Sequence, residues 1–117
     1  MNDLNDISLS EIIKLIKSKK ISSLELANHF INNIKKGKKL NSFITTCFDK
    51  TIEDSKSFDK KQNFDGLLPG IPIAVKDLFC TKNIKTTAGS KILENFIPTY
   101  ESTVTSNLWK EGAILLG

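Results

Sequence analysis

The sequence predicts an α/β fold, a mixed and largely parallel sheet covered by helices, of which this chain holds the N-terminal portion. Two observations carry that reading. Two serine-capped stretches with apolar residues at helical spacing fill the first forty positions. After residue 66, an apolar run entered through a proline leads into a crossover, a capped helix and a second apolar run. Strand, crossover, helix, strand is a βαβ unit, which implies parallel strands covered on both faces. With 117 residues, 39% hydrophobic and 26% charged, the chain has enough material for one globular domain and too little for two ordinary ones.

Ser8-Leu9-Ser10-Glu11 is a capping box, so a helix is expected from Leu9, with Leu9, Ile12, Ile13 and Ile16 on one apolar stripe. Ser22-Ser23-Leu24-Glu25 repeats the device, and Ala27, Phe30, Ile31 and Ile34 repeat the spacing until Gly37 ends the helix. Asn41 to Phe48 is rich in β-branched and aromatic residues and predicts a strand. Asp49 is placed to cap a third helix running to about Lys60. Asp65-Gly66-Leu67-Leu68-Pro69-Gly70 reads as a turn, and Ile71-Pro72-Ile73-Ala74-Val75 as a buried strand. Pro98 closes a short apolar piece at Ile92 to Phe96. Ser102 caps a helix from Thr103 to about Glu111 with Val104, Leu108 and Trp109 inward, and Ala113 to Leu116 is the second strand. Residues 1–65 are thus the N-terminal helices, a strand and a third helix, and residues 66–117 begin a βαβ core. Because a buried parallel strand needs more neighbours than these, the chain is expected to be the beginning of a longer protein.

Composition narrows the function classes. The formal charge is +4, and all 17 basic residues are lysines. Without arginine there is no planar fork for base readout or bidentate phosphate clamping, which argues against a small basic nucleic-acid-binding module. The run Lys35-Lys36-Gly37-Lys38-Lys39 reads as the solvated C-terminal end of the second helix. No apolar run approaches the roughly 18 residues of a membrane span. The polar, acidic start Met1 to Asp6 is unlike a secretory signal, so a cytoplasmic location is expected. Cys47 and Cys80 lack Cys-x-x-Cys pairing, and His29 is the single histidine, so neither a disulfide framework nor a metal site is expected. Ser57-Phe58-Asp59-Lys60 spells Ser-x-x-Lys but stands without the companion motifs of penicillin-recognising enzymes. Ala88-Gly89-Ser90-Lys91 has neither the length nor the order of a phosphate-binding P-loop.

Gly70-Ile71-Pro72-Ile73-Ala74-Val75-Lys76-Asp77 resembles the stretch that carries the catalytic lysine in the amidase signature family. The likeness extends through Thr86-Thr87-Ala88-Gly89-Ser90-Lys91, Pro98 to Val104 and Leu108 to Gly117, and the paired capped helices resemble the family's N-terminal region. Within the family the chain is most similar to the ammonia-generating subunits of tRNA-dependent amidotransferases. That resemblance implies a Ser–Ser–Lys triad to which this chain contributes Lys76, the bridging and nucleophilic serines lying beyond Gly117, so the fragment alone is expected to be inactive. It also implies glutamine as ammonia donor, B and C partner subunits, Glu-tRNA(Gln) contacted mainly through a partner, and ATP with Mg used in a partner subunit. No cofactor is expected on this chain.

Lysine acts as a base only when neutral. To be half deprotonated at pH 7, Lys76 must fall from about 10.4 by about 3.4 units, a cost of about 4.6 kcal/mol. Desolvation on that scale needs near-complete burial, and the end of a wholly apolar strand is a plausible place for it. Asp77 could keep the ammonium charged by pairing with it, unless strand alternation sends the two side chains to opposite faces. The small, hydroxylated residues Thr86 to Ser90 are candidates to line the approach and are assigned no catalytic role, since loops of this composition are more often simply turns. A stand-alone amidase with the same lysine is the neighbouring alternative, and a basic RNA- or protein-binding module the alternative of another class.

Overall fold

The computed structural model describes residues 3–117; Met1 and Asn2, the start of the polar N-terminal stretch, lie outside the described residues. Four helices and two short strands follow one another as α1 (Leu9–Lys17), α2 (Ser23–Lys36), α3 (Phe48–Lys61), β1 (Pro72–Ile73), α4 (Thr103–Lys110) and β2 (Ile114–Leu115). Single 3₁₀ turns lie at Lys38–Leu40 and Lys91–Leu93.

Both capping boxes form as the spacing predicts. The Ser8 hydroxyl accepts from Glu11 N at 3.3 Å while Ser8 N donates to the Glu11 carboxylate at 3.0 Å. At α2, Glu25 N donates to Ser22 Oγ at 3.1 Å and Ser22 N to Glu25 Oε2 at 2.8 Å. The apolar stripes these caps launch make the core: Ile12, Ile16, Ile21, Leu26 and Ile71 are buried together, with Phe30, Phe58, Phe64 and Ile73 packed against them. The one histidine belongs to the surface of α2, where its Nε2 and Asn33 Nδ2 both meet Asn5 Oδ1, at 3.0 and 2.7 Å, and so hold the N-terminal segment to the helix.

The βαβ unit is present, with β1 and β2 parallel and Pro72 opposite Ile114 and Ile73 opposite Leu115. Only two residues on each side are in regular ladder, but backbone bonds continue beyond them, from Gly70 N to Gly112 O and from Val75 N to Gly117 O, both 2.9 Å. Helix α2 packs against β1 and α3 against β2. Gly70, at the entry to β1, adopts φ +68°, and a Cβ there would lie 2.6 Å from the Phe58 ring, so both backbone and space demand glycine.

Three expectations are corrected. Residues 41–48 do not form a strand. Asn41 turns the chain with φ +51°, Ile44 is exposed, and the segment reaches the sheet through a single backbone bond, Cys47 N to Leu116 O at 2.9 Å. The adjacent Leu115 carbonyl is taken by the Thr51 hydroxyl at 2.6 Å, so the free edge of β2 is met by a helix start rather than by another strand. Helix α3 accordingly begins at Phe48 with Cys47 at its N-cap and no side-chain cap bond, which places Asp49 inside the first turn. On α4, Val104 is exposed, and the residue pointing inward is Thr105, whose hydroxyl donates to Cys80 O at 3.1 Å.

Candidate active site

Strand β1 hands the chain to a tight turn at Lys76, whose carbonyl accepts from Leu78 N at 2.8 Å and Phe79 N at 3.1 Å. The turn forms one wall of a cleft of about 620 Å³; the others are the Ser42–Thr45 segment and the loop through Thr86, Ala88 and Gly89. The Lys76 side chain is exposed on this cleft. The near-complete burial expected for it is therefore not supplied by residues 3–117: the apolar strand that precedes it is buried at Ile71 and Pro72, but Ala74 is already exposed.

Asp77 turns to a different partner. Its carboxylate accepts from Thr87 N at 2.8 Å and from the Thr87 hydroxyl in a short bond, and its backbone carbonyl accepts from Ala88 N at 2.7 Å. Thr86 and Thr87 are buried, and Ala88 and Gly89 follow with φ of +50° and +67°. Among the described residues, the ion pair within 4.0 Å is Lys50–Asp54 on α3, so no carboxylate side chain neutralises Lys76 at contact distance. The expected separation of Lys76 from Asp77 thus arises from a turn and a loop contact, not from strand alternation.

Cys80 follows on the same turn; its sulfur lies in hydrogen-bond contact with the Tyr100 hydroxyl at 3.3 Å, and this contact pushes the Tyr100 phenol above its ordinary range. The Cys47 thiol is pushed up by burial, the reverse of what activates a nucleophile. Neither cysteine is in a disulfide, and the described residues bring no three His, Cys, Asp or Glu side chains together as a metal site. Of the other sequence candidates, Ser57-Phe58-Asp59-Lys60 is scaffold: Phe58 packs into the core and Asp59 binds the start of α2. Sequence reading missed the Ser42–Thr45 wall, which looked like strand, and missed Thr87 as the partner of Asp77. The one signal for the latter was the density of hydroxyls at 86–90.

The family model described as Amidase matches residues 25–117, which include β1, Lys76 and the Thr86–Gly89 loop. The chain belongs to the amidase signature family. Over all 117 residues it is 61% identical to the A subunit of glutamyl-tRNA(Gln) amidotransferase from Pelagibacter ubique (strain HTCC1062), covering 24% of that protein. It is 44% identical over 119 aligned residues to the protein of the same name from Rickettsia bellii (strain OSU 85-389), again covering the whole of this chain and 24% of the relative. The chain spans about a quarter of the length of these curated relatives. Among solved structures, an amidase family protein from Bacillus anthracis str. Ames superposes with a TM-score of 0.87 at 28% identity, over 96% of this chain and 23% of that one. A bacterial aryl acylamidase of the amidase signature family superposes at 0.84 and 28% identity, over 95% and 24%. The α/β arrangement around Lys76 is therefore the N-terminal portion of the amidase signature fold. In its layout this chain supplies an amine at the exit of β1, facing a cleft, without a paired carboxylate.

Proposed function

We propose that this chain is part of the ammonia-generating subunit of an ATP-dependent Glu-tRNA(Gln) amidotransferase, which converts misacylated Glu-tRNA(Gln) into Gln-tRNA(Gln), and that Lys76 is its proton acceptor. The observation that carries the reading is the 61% identity, across the whole chain and through the Lys76 turn, to a protein named as the A subunit of glutamyl-tRNA(Gln) amidotransferase. In this reading, neutral Lys76 takes a proton through a bridging serine from a nucleophilic serine. That serine attacks the glutamine side-chain amide, giving an acyl-enzyme and ammonia. Both serines belong to the part of the protein outside this chain, as does the remaining wall that removes Lys76 from water. Ammonia passes to a partner subunit, where ATP with Mg activates the glutamyl group; B and C subunits complete the assembly in the cytoplasm.

The structural contribution of this chain is positioning. Lys76 is anchored through its own backbone carbonyl and by the ladder bond of Val75, and Asp77 is diverted from it. In the full-length protein purified with its partners, Lys76→Ala is expected to abolish glutamine-dependent ammonia release while the complex still assembles. Unchanged turnover would remove Lys76 from the mechanism. Purification of a fully active glutamine amidase without partner subunits would instead favour a stand-alone amidase.

A further inference from the structure

Lys76 and Asp77 are adjacent in sequence and both line the cleft, so an unoccupied Asp77 carboxylate would be the nearest counter-ion for the ammonium. An opposite charge within about 4–6 Å stabilises the charged form by roughly 1–3 pK units, which would oppose the loss of the proton. The structure gives that carboxylate another occupation. Both of its oxygens are engaged by Thr87, one by the backbone N–H and one by the hydroxyl, and the Asp77 carbonyl is bonded to Ala88 N. Thr87 is buried, and its hydroxyl oxygen also accepts from Gly89 N at 3.1 Å, so it cannot readily swing away.

We infer that Thr87 is a positioning residue that withholds the Asp77 carboxylate from Lys76, leaving the amine free to shed its proton once the site is closed. This rests on the reading of Lys76 as proton acceptor. The backbone bond from Ala88 N holds the loop in place, the Thr87 N–H holds one carboxylate oxygen, and the Thr87 hydroxyl fixes the other, so that without the hydroxyl one oxygen is released. Lys85, the other ionisable side chain on the cleft, bears an amine and so offers Lys76 no counter-ion.

The test is the acidic limb of the kcat/KM pH profile for glutamine hydrolysis by the full-length enzyme in its complex. Thr87→Val keeps the shape of a buried side chain and removes the hydroxyl. It is expected to move that limb upward by about one pH unit, equivalent to about a tenfold loss of kcat/KM at a fixed pH on the acidic side. Thr87→Ser, which retains the hydroxyl, is expected to restore the wild-type limb, as is the double variant Thr87→Val with Asp77→Asn, where no charge remains to be misdirected. A limb unmoved by Thr87→Val, or a shift that persists in the double variant, would overturn the inference. Asp77→Asn alone gives an independent reading should Thr87→Val not fold. If Asp77 is sequestered, its neutralisation leaves the limb in place, whereas a fall of one unit or more would show it to be the lysine's counter-ion and refute the proposal. Failure of the underlying reading looks different: Lys76→Ala would then retain turnover with its acidic limb intact.

Discussion

Replacing Asp59 by alanine should loosen the start of α2 more than any single change in its capping box. Asp59 stands on α3, 36 residues from Ser23, and each of its carboxylate oxygens accepts one backbone N–H: Oδ1 from Ser23 at 2.9 Å and Oδ2 from Leu24 at 3.0 Å. With the Ser22–Glu25 box satisfying the next donor, all the N–H groups of the first turn are engaged. A hydrogen bond to a charged group contributes about 1.5–3 kcal/mol, and an anion at a helix N-terminus about 0.3–1 kcal/mol more. Ser23 is fully buried, so its N–H finds no water when the carboxylate is removed and the desolvation cost is retained. Taken together, Asp59→Ala should cost about 2–4 kcal/mol locally. Native-state hydrogen exchange on the full-length protein reads this directly. The Leu26 and Ala27 amides, which report opening of the first turn, should exchange roughly 30-fold to several-hundredfold faster, at 1.36 kcal/mol per factor of ten. Asp59→Asn, which offers one acceptor and turns an N–H₂ toward the other donor, should recover little of the loss. An acceleration below about threefold in Asp59→Ala would show that α2 is held by its apolar face alone.

Gly70→Ala combines a left-handed backbone cost of about 1–2 kcal/mol with overpacking against Phe58 of about 1–3 kcal/mol, so the melting temperature should fall clearly; an unchanged melting curve would contradict the geometry at the entry to β1. Acid should undo the capping boxes. The Ser8 hydroxyl and N–H hold Glu11 below the ordinary glutamate range, and the Ser22 N–H and hydroxyl hold Glu25 there. For a depressed carboxylate the stabilisation is complete above the unfolded value of about 4.3 and is lost as pH falls through the lower folded value. Side-chain carbonyl NMR titration should therefore place both midpoints below those of a disordered glutamate, and amide exchange in the first turns of α1 and α2 should accelerate over the same range. Midpoints at the ordinary value would mean that the boxes are not formed in solution.

What could be read from the sequence was what is local. Ser8 and Ser22 each lie three residues from the glutamate that completes the box, and the apolar stripes behind them repeat within two turns, so caps, helices and much of the core followed from spacing. The βαβ order followed because Pro72, Ser102 and Gly112 punctuate it. What escaped depends on contacts that spacing does not encode. Residues 41–48 have strand composition, but the β2 edge they approach is capped by Thr51 from a helix, across 64 positions. Lys76 was identifiable as the first charge after an apolar run and by its motif, yet its exposure was not, because apolar residues before a side chain do not make the wall in front of it. Thr87 was visible only as one hydroxyl among several; the ten-residue span that brings it to Asp77 is set by the loop between them.

The strands themselves are too short to fix the position of Lys76, and the structure shows what does. Three fully buried hydroxyl residues each run a bond from a helix to a backbone carbonyl of the sheet region: Ser23 of α2 to Gly70 O at 2.6 Å, Thr51 of α3 to Leu115 O at 2.6 Å, and Thr105 of α4 to Cys80 O at 3.1 Å. Gly70 lies six residues before Lys76 and Cys80 four after it, so the segment carrying the lysine is tied at both ends, while Leu115 ties the neighbouring strand to which Ile73 is paired. Each hydroxyl is small enough to let a helix approach the backbone closely, and each reaches a main-chain carbonyl; Cys80 O accepts from Ser102 N as well, at 2.8 Å, so the start of α4 holds it twice. Aliphatic residues of the same size would fill the space but remove these directional ties between helix and backbone. The apolar core accounts for the cohesion of this chain; these three polar contacts account for where its candidate catalytic amine stands.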